Sequence, residues 1–371
     1  MLQRLYINNF RCLDNFEFKP GSATSALLVG KNGSGKTTMA QALKIFQAIG
    51  RGVNRAGHLV KERDFSLGRT SIPLRLEMEV KLGDHAFRYN LAFDYPEGFR
   101  EPRVVEEELH LDEALVYTRS LAQVTLNRLR VVAQQETKFN IDWHLIALPV
   151  IQDPSASSVL STFRDWLARM VLLAPIPRFI QGEAKTETLD PDEDGSNFAD
   201  WLSGLLAQYP AAYAMVSKHL QQIIPDLEDF RFVLAGRETK SLLVRFKSNS
   251  KEYECDFDAL SDGEKCFFLC AVVLAANTYY GPLFAFWDEP DNYLSLSEVS
   301  FFIMALRQGF NKKGQILMTS HNEEAVRRFS NDSTWVLGRK SHLEPSQIRL
   351  LNEMPKVDDL IQSLICGDLE P

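Results

Sequence analysis

The chain has 371 residues, of which 45% are hydrophobic and 24% charged, and its formal net charge is −8. This composition is typical of a globular protein and excludes a disordered or collagen-like chain. The length suggests one large domain with an insertion, or two domains.

The longest apolar run, residues 266–276, is too short to span a bilayer. No secretory signal is visible, and the five cysteines lack metal-ligand spacing. We therefore expect a cytoplasmic protein with reduced thiols and no membrane contact. Any nucleic-acid contact would need a local basic patch.

The first motif follows three predicted strands, at residues 4–10, 16–19 and 25–29. Residues 30–37 read G-K-N-G-S-G-K-T and fit the P-loop pattern G-x-x-x-x-G-K-[ST] at every fixed position, and an apolar helix is predicted at 39–49. Lys36 would reach the β/γ-phosphates of a nucleotide, and the Thr37 hydroxyl would bind Mg²⁺. A glycine-rich turn that binds nothing is the alternative, but a full match between a strand and a helix disfavours it. The residues expected to bind the nucleotide here are Gly30, Asn32, Gly33, Ser34, Gly35, Lys36, Thr37 and Thr38.

In the middle of the chain, the residue pattern predicts strands first and helices afterwards. Alternating apolar and polar residues at 72–82, 86–94, 103–111 and 115–119 indicate an antiparallel meander. Residues 158–173 and 197–224 have helical periodicity with an apolar stripe. The polar, acidic stretch 188–195 between them is expected to be a mobile loop.

A second anion-binding motif is predicted at residues 260–265, L-S-D-G-E-K, before the apolar helix 266–276. Ser261 and Glu264 have capping-box spacing, so a helix should begin there with its first N–H groups exposed. The Ser261 hydroxyl, the close approach that Gly263 permits and the helix N-terminus together suit a phosphate. Taken alone, this motif is also compatible with an ordinary capped helix.

Carboxylates and a histidine follow two further predicted strands. The apolar run 283–287 reads as a central parallel strand and ends in Asp288 and Glu289, where doubly wound sheets bind ligands. Asp288 is expected to hold Mg²⁺ through water, and Glu289 to orient or deprotonate the attacking water. A capping box opens a helix that runs to residue 310. After a strand at 315–318 comes His321, which is suited to contact the γ-phosphate. An isolated histidine there would more often be a loop residue, but the order of the preceding motifs favours the functional interpretation.

This order of motifs resembles the ATP-binding-cassette (ABC) ATPases. The opening I-N-N-F-R-C-L-D-N-F and the segment D-E-P-D-N-Y-L resemble more narrowly the RecF, SMC and OLD-type branch. The resemblance implies an α/β ABC-ATPase head with a P-loop parallel sheet core, an antiparallel β-subdomain and an inserted helical subdomain. It assigns Walker A to Lys36 and Thr37, the signature to Ser261 and Gly263, Walker B to Asp288 and Glu289, the D-loop to Asp291 and the switch to His321.

Three further residues are assigned by the same resemblance. Asn9 and Arg11 match a segment that lies beside the nucleotide in this branch, and Gln181 resembles a glutamine that senses Mg²⁺ and the γ-phosphate. A Gln–Gly pair is also common in turns, so an ordinary surface glutamine is an equal alternative at residue 181. The expected catalytic residues are therefore Glu289, His321 and Lys36, and the expected metal site uses Thr37, Asp288 and Gln181.

The resemblance also implies a domain organisation and a mode of action. We expect a single head over 1–371, with a nucleotide-binding core at 1–50 and 255–340, a β-subdomain at 70–125 and a helical insertion at 155–230. The chain lacks the heptad repeats of coiled-coil arms, and the stretch after residue 340 is too short for an appended nuclease domain. ATP and Mg²⁺ are the expected cofactors, and two ATP sites are expected to join a homodimer.

The expected cellular role is that of a sensor or scaffold for a separately encoded effector in a bacterial anti-phage or toxin–antitoxin-like module. The alternative is a RecF-like ATPase of DNA repair, with DNA as the partner. Whether DNA stimulates turnover, and what the adjacent gene encodes, would distinguish the two.

Overall fold

The computed structural model describes residues 1–127, 136–151, 157–354 and 363. Its strands are β1 (Leu2–Asn8), β2 (Phe16–Phe18), β3 (Ser25–Val29), β4 (Leu74–Leu82), β5 (His85–Asp94), β6 (Arg103–Leu111), β7 (Ala114–Ser120), β8 (Gln123–Asn127), β9 (Glu136–Asn140), β10 (Val171–Leu173), β11 (Glu183–Ala184), β12 (Leu227–Leu234), β13 (Lys240–Ser248), β14 (Lys251–Asp256), β15 (Phe284–Trp287), β16 (Gln315–Thr319), β17 (Thr334–Gly338) and β18 (Gln347–Leu350). Its helices are α1 (Lys36–Gly50), α2 (Ala56–Leu59), α3 (Ser157–Ala168), α4 (Phe198–Gln208), α5 (Ala212–Gln221), α6 (Asp262–Tyr279), α7 (Leu296–Asn311) and α8 (Glu323–Arg327).

The chain divides into two compact units. The first contains Met1–Ala23, Leu28–Met170 and the described part of Asn331–Pro371, and the second contains Thr24–Leu27 and Val171–Ser330. The boundary falls inside β3. None of the helices described in either unit is both long and apolar enough to cross a membrane.

The first unit contains an eight-stranded antiparallel sheet in the order β2-β1-β4-β5-β6-β7-β8-β9. Its strands alternate as their sequences do: in β4, Leu74, Leu76, Met78 and Val80 are buried, and the residues between them are not. The predicted meander is thus confirmed. The structure adds β8 and β9 at one edge and joins the opening hairpin β1–β2 at the other.

Helix α1 of the first unit packs closely against α3. A Cβ atom built at Gly50 would lie 2.4 Å from the Ala168 nitrogen, and the Gln47 side chain donates to the Met170 carbonyl oxygen at 2.7 Å. The predicted helix 158–173 was wrong at its end, because α3 stops at Ala168 and 171–173 form strand β10. A short, fully buried apolar run is compatible with either element, and the pairing partner far along the chain decides between them.

The second unit contains the parallel strands β10, β15 and β16, side by side in that order, with β3 next to β16. All the residues of these strands are buried, as expected for a parallel sheet covered on both faces. The predicted strands 283–287 and 315–318 are therefore confirmed. Because these strands are parallel, Leu173, Trp287 and Thr319 end at one edge of the sheet.

The predictions for residues 197–224 and 188–195 of the second unit had different outcomes. The single helix expected at 197–224 is two helices, α4 and α5, separated at Tyr209 and Pro210, since proline disfavours helical backbone before it and cannot donate an intrahelical hydrogen bond. The stretch 188–195 is a loop, as predicted. The carbonyl oxygens of Glu193 and Asp194 accept hydrogen bonds from the Ala174 and Ile176 N–H groups at 2.8 and 3.0 Å, and the mobility of the loop stays a prediction.

A second antiparallel sheet, formed by β11, β13, β12 and β14, escaped the sequence analysis. Its strand β14 is almost wholly exposed and carries mostly charged residues. The alternation of polar and apolar residues there was present in the sequence, but charged residues on both faces of β14 weaken the pattern on which strand prediction depends.

Candidate functional site

The P-loop in the first unit turns sharply between β3 and α1. Gly35 precedes the helix with φ of 109°, a backbone conformation that L-residues with a side chain rarely adopt. A Cβ atom at this position would lie 2.9 Å from the Ser346 Oγ and 3.1 Å from a Leu13 methyl carbon. Both the backbone angle and the packing therefore require glycine here.

Lys36 lies at the first turn of α1 with its side chain over the loop. The residue is only 6% exposed, and its Nζ donates to the carbonyl oxygens of Gly30 at 2.6 Å and Lys31 at 3.3 Å. The Ser34 hydroxyl is buried and has no hydrogen-bond partner among the described residues. No acidic residue occupies the first turn of α1, so the positive end of the helix dipole is not neutralised locally. A buried cation, an unsatisfied hydroxyl and a helix N-terminus suit a phosphate group.

The remaining P-loop residues differ in exposure. Asn32, Gly33 and Thr37 are exposed, whereas Thr38 is half-buried and its Oγ1 accepts a hydrogen bond from the Cys12 thiol at 3.4 Å. Thr37 lies at an exposed position in the first turn of α1, and its contact with a metal ion stays a prediction.

The two residues predicted beside the nucleotide in the opening segment have different roles. Asn9 is fully buried, and its amide donates to the carbonyl oxygens of Arg69 at 3.0 Å and Ile72 at 2.7 Å. It fastens the backbone. Arg11 is partly exposed, and its guanidinium is held by Asp64 at 2.8 Å and by the Gln41 side chain. Arg11 is thus oriented, and its contact with a nucleotide stays a prediction.

Asp288 and Glu289 in the second unit follow β15 directly and are positioned by the ends of the neighbouring strands. The Asp288 N–H donates to the Leu173 carbonyl oxygen of β10 at 2.7 Å. The Thr319 hydroxyl, at the end of β16, donates to the Asp288 Oδ1 at 2.5 Å and accepts from the Glu289 N–H at 2.8 Å. Glu289 itself has φ of 48°, in the left-handed region. Non-glycine residues in that region are uncommon and cluster at functional sites.

The Glu289 carboxylate contacts two further side chains. Its Oε1 lies 3.2 Å from the His321 Nε2, and its Oε2 accepts from the Asn292 amide at 2.5 Å. Glu289 and His321 are each partly exposed, with about a third and two fifths of their side chains accessible. The carboxylate is therefore fixed by neighbours and still open to solvent, as a base acting on a water molecule must be.

Asp291 is buried, and its contact with a nucleotide stays a prediction. It is 4% exposed, and its Oδ2 accepts from the Ser320 hydroxyl at 2.8 Å. Burial raises the pKa of the Asp291 carboxyl group above its ordinary value, and the Ser320 hydrogen bond opposes that rise. Its other oxygen, Oδ1, has no partner among the described residues.

The signature segment of the second unit forms the predicted capped helix N-terminus. The Ser261 Oγ accepts from the Glu264 N–H at 3.3 Å, and the Glu264 carboxylate accepts from the Ser261 N–H at 2.8 Å. A Cβ atom at Gly263 would lie 3.2 Å from the Tyr293 carbonyl oxygen, so this glycine allows a close approach between the start of α6 and the segment after Asp291. The capping box is confirmed, and phosphate binding by it stays a prediction.

Gln181 is exposed, and the geometry around it explains the following glycine. The Gly182 N–H donates to the Asp258 Oδ1 at 2.7 Å, and a Cβ atom at Gly182 would lie 2.8 Å from the Phe257 Cβ. The Gln–Gly pair is therefore a tightly packed position, and a role of Gln181 in metal binding stays a prediction.

Comparison with known proteins identifies the family. The family model described as "AAA domain, putative AbiEii toxin, Type IV TA system" matches residues 25–327. The chain belongs to this family. A search of the curated proteins finds no match.

Two solved structures have the same fold. The crystal structure of an SMC head bound to the C-winged-helix domain of ScpA is 16% identical, with a TM-score of 0.55 over 94% of this chain and 97% of that chain. An SMC head domain with an extended coiled coil, bound to the C-terminal domain of ScpA and derived from Pyrococcus furiosus, is 13% identical, with a TM-score of 0.53 over 94% and 95%. The chain thus has the fold of these SMC head domains, and the expected fold class is confirmed.

Within this AAA-family chain, the structure brings together Asp288, Glu289, Asp291 and His321. It adds three residues that the sequence analysis missed: Thr319, Ser320 and Asn292. The sequence did contain an indication of Thr319 and Ser320. These two hydroxyl residues follow the apolar run of β16 and come immediately before His321. Their partners lie about thirty residues away along the chain and could not be identified from the sequence.

The donor chemistry fits a magnesium ion that accompanies nucleotide phosphates. No group of three or more His, Cys, Asp or Glu side chains suited to a metal ion occurs in the part of the chain that the structure describes. Mg²⁺ in phosphoryl-transfer sites needs only one or two protein oxygens, because phosphate and water supply the rest. Each unit carries an oxygen donor of that kind: the Thr37 hydroxyl in the first unit and the Asp288 carboxylate in the second.

Proposed function

We propose that this chain binds ATP through its P-loop and hydrolyses it with Glu289 as the base. The observation that carries the proposal is the arrangement around Glu289, at the carboxyl end of a parallel strand. Its solvent-accessible carboxylate is held by Asn292 and His321, and its left-handed backbone donates an N–H to the Thr319 hydroxyl. Orientation of the attacking water is the main task of a side chain in phosphoryl transfer, because catalysis there is mostly positioning and charge stabilisation. The ATPase family to which the chain belongs supports the same conclusion.

The other side chains have complementary roles in this proposal. Lys36, the P-loop amides and Arg11 bind the phosphates, and His321 orients the γ-phosphate or the water. Thr37, Asp288 and Gln181 contribute to the metal site, directly or through water. A bound Mg²⁺ ion would neutralise part of the phosphate charge.

We further propose that ATP joins two copies of the chain. The P-loop and the Ser261–Gly263 turn are two separate helix N-termini, each suited to the same γ-phosphate. In ABC ATPases these two motifs lie on different edges of one head, so each copy would complete its partner's site in a two-fold dimer. ATP then shifts the population toward the closed dimer because it binds that form better.

The cellular role that we propose is a sensor or scaffold for a separately encoded effector in a defence or toxin–antitoxin-like module. The family description, which names an AbiEii toxin and a type IV system, supports this setting. The SMC heads of the same fold were solved with a winged-helix partner, so the fold is able to hold a second protein. A pull-down with tagged Glu289→Gln protein and ATP should capture the effector. Stimulation of turnover by DNA, with no protein captured, would favour a DNA-repair role instead.

The substitution Glu289→Gln tests the catalytic assignment. Glutamine keeps the shape and the hydrogen bond from Asn292 but removes the base, so ATP should still bind while turnover falls by roughly 10²–10⁴-fold. Glu254→Gln, at an exposed position on β14, is the matched control and should hydrolyse ATP at the parent rate. If Glu289→Gln also keeps the parent rate, Glu289 is not the base.

A further inference from the structure

Thr319 contacts both Walker B residues at once, Asp288 through its carboxylate and Glu289 through its backbone N–H. Thr319 is fully buried at the end of β16. Its hydroxyl donates to the Asp288 Oδ1 and accepts from the Glu289 N–H. These two bonds use the hydroxyl as a donor and as an acceptor. Among side chains of similar size and shape, valine can do neither and serine can do both.

The Glu289 backbone needs such support. Its φ of 48° is unfavourable for a residue with a side chain, and strained backbone persists only where its surroundings fix it. The bond from the Glu289 N–H to the Thr319 hydroxyl acts at the peptide group that defines this angle. From this backbone the Glu289 side chain reaches to 3.2 Å from the His321 Nε2.

The residues after Thr319 extend the same pattern. Ser320 donates to Asp291, and His321 contacts Glu289, so three consecutive residues at the end of β16 each bind a member of the Asp288–Asp291 segment. The threonine is the first of these three residues, and it is fully buried, as is Ser320. Its β-branched side chain also has few rotamers, which favours a fixed hydroxyl position.

We propose that Thr319 is the positioning residue for the base: it holds the Glu289 peptide in the left-handed conformation that points the carboxylate at the attacking water. This inference rests on the proposed ATPase function. Thr319 touches neither ATP nor water in this account, and it acts through Glu289 and Asp288.

Kinetics of three variants test this role. Thr319→Val should lower kcat by about 10- to 100-fold, as expected for the loss of a hydrogen bond to a charged group, and should leave ATP affinity unchanged because the P-loop is intact. Thr319→Ser keeps the hydroxyl and should recover most of the rate. Thr334→Val removes a hydroxyl from another strand threonine that is 1% exposed, and it should keep the parent kcat. In the Glu289→Gln background, Thr319→Val should have little further effect, because the two changes disable the same group.

A crystal structure of Thr319→Val provides a readout that does not depend on hydrolysis. We expect the Glu289 peptide to leave the left-handed region and the 3.2 Å contact with His321 to open. Thr319→Ala provides the same readout if the valine variant does not fold. Retention of the Glu289 conformation in these variants, or of the parent kcat, would overturn the inference. If the parent chain does not hydrolyse ATP, the proposed function fails, and the conformation of Glu289 in the variant still decides the role of Thr319.

Discussion

Replacing Glu107 by glutamine removes a buried carboxylate. This carboxylate connects tyrosines of the eight-stranded sheet to the backbone of residues 147–148. The Glu107 side chain is fully buried on β6. It accepts hydrogen bonds from the phenols of Tyr89 at 2.9 Å and Tyr117 at 2.7 Å, and from the backbone N–H groups of Ala147 at 2.7 Å and Leu148 at 2.9 Å. The Arg119 guanidinium, also buried, lies 3.6 Å away. Burial, and then the Glu107 charge, raises the pKa of both phenols well above the ordinary value, so they remain donors.

The expected cost follows from this geometry. All four hydrogen-bonding neighbours donate to a carboxylate, whereas an amide has one acceptor oxygen and an NH₂ group that can only donate. At least one donor loses its acceptor, and Arg119 becomes a buried charge without its counter-ion. Breaking a buried pair from one side costs about 3–5 kcal/mol, so we expect the free energy of unfolding to fall by that amount.

Urea denaturation of Glu107→Gln and of a neighbouring control measures this cost. Glu106 lies on the same strand, but it is partly exposed and pairs with Arg75 at 2.8 Å. Glu106→Gln should lower the free energy of unfolding by less than about 1 kcal/mol. Equal effects of the two substitutions would refute the reasoning from burial and donor count.

Two further predictions concern the site. Lys36→Ala removes the cation of the P-loop and should weaken ATP binding by about 10- to 150-fold, because a hydrogen bond to a charged group contributes roughly 1.5–3 kcal/mol; unchanged affinity in calorimetry would exclude the P-loop assignment. For Asp291 the folded pKa is raised, so the native state binds more protons than the unfolded chain between the two pKa values, and stability falls as pH rises through that window. Asp291→Asn should therefore raise the melting temperature most at pH 8, and the gain should shrink toward pH 4; a gain that does not vary with pH would contradict the buried, ionised carboxylate.

Much of the fold could be predicted from local patterns. The helices α1, α6 and α7 follow a P-loop or a capping box, and β4 to β7 show clean alternation, so their positions agree with expectation. Errors occurred where long-range pairing decides the structure. Residues 171–173 look like the end of a helix until they are paired with β15, and the helix expected at 197–224 is interrupted by one proline.

The candidate site was predictable for its motif residues and less so for their support. Glu289, His321, Ser261 and Lys36 lie in sequence patterns with a known chemical logic. The contacts of Thr319 with Asp288 and Glu289 depend on how two parallel strands end side by side, and the left-handed backbone of Glu289 has no signature in the sequence. Only the three-dimensional arrangement reveals these features.

The shared-site mechanism is tested most directly by mixing two inactive variants. Ser261→Arg places a long cation where the partner's γ-phosphate would lie, and Lys36→Ala disables the P-loop. Ser261→Ala, which removes only the helix cap at a cost of about 1 kcal/mol, separates the cap from the site.

A mixed dimer has one site with both changes and one site with neither. Equal amounts of the two chains should therefore recover roughly a quarter of the parent rate, since half of the dimers are mixed and each has one intact site. The account would be contradicted if Ser261→Arg alone hydrolysed ATP at the parent rate, with a rate per chain that stays constant down to nanomolar concentration.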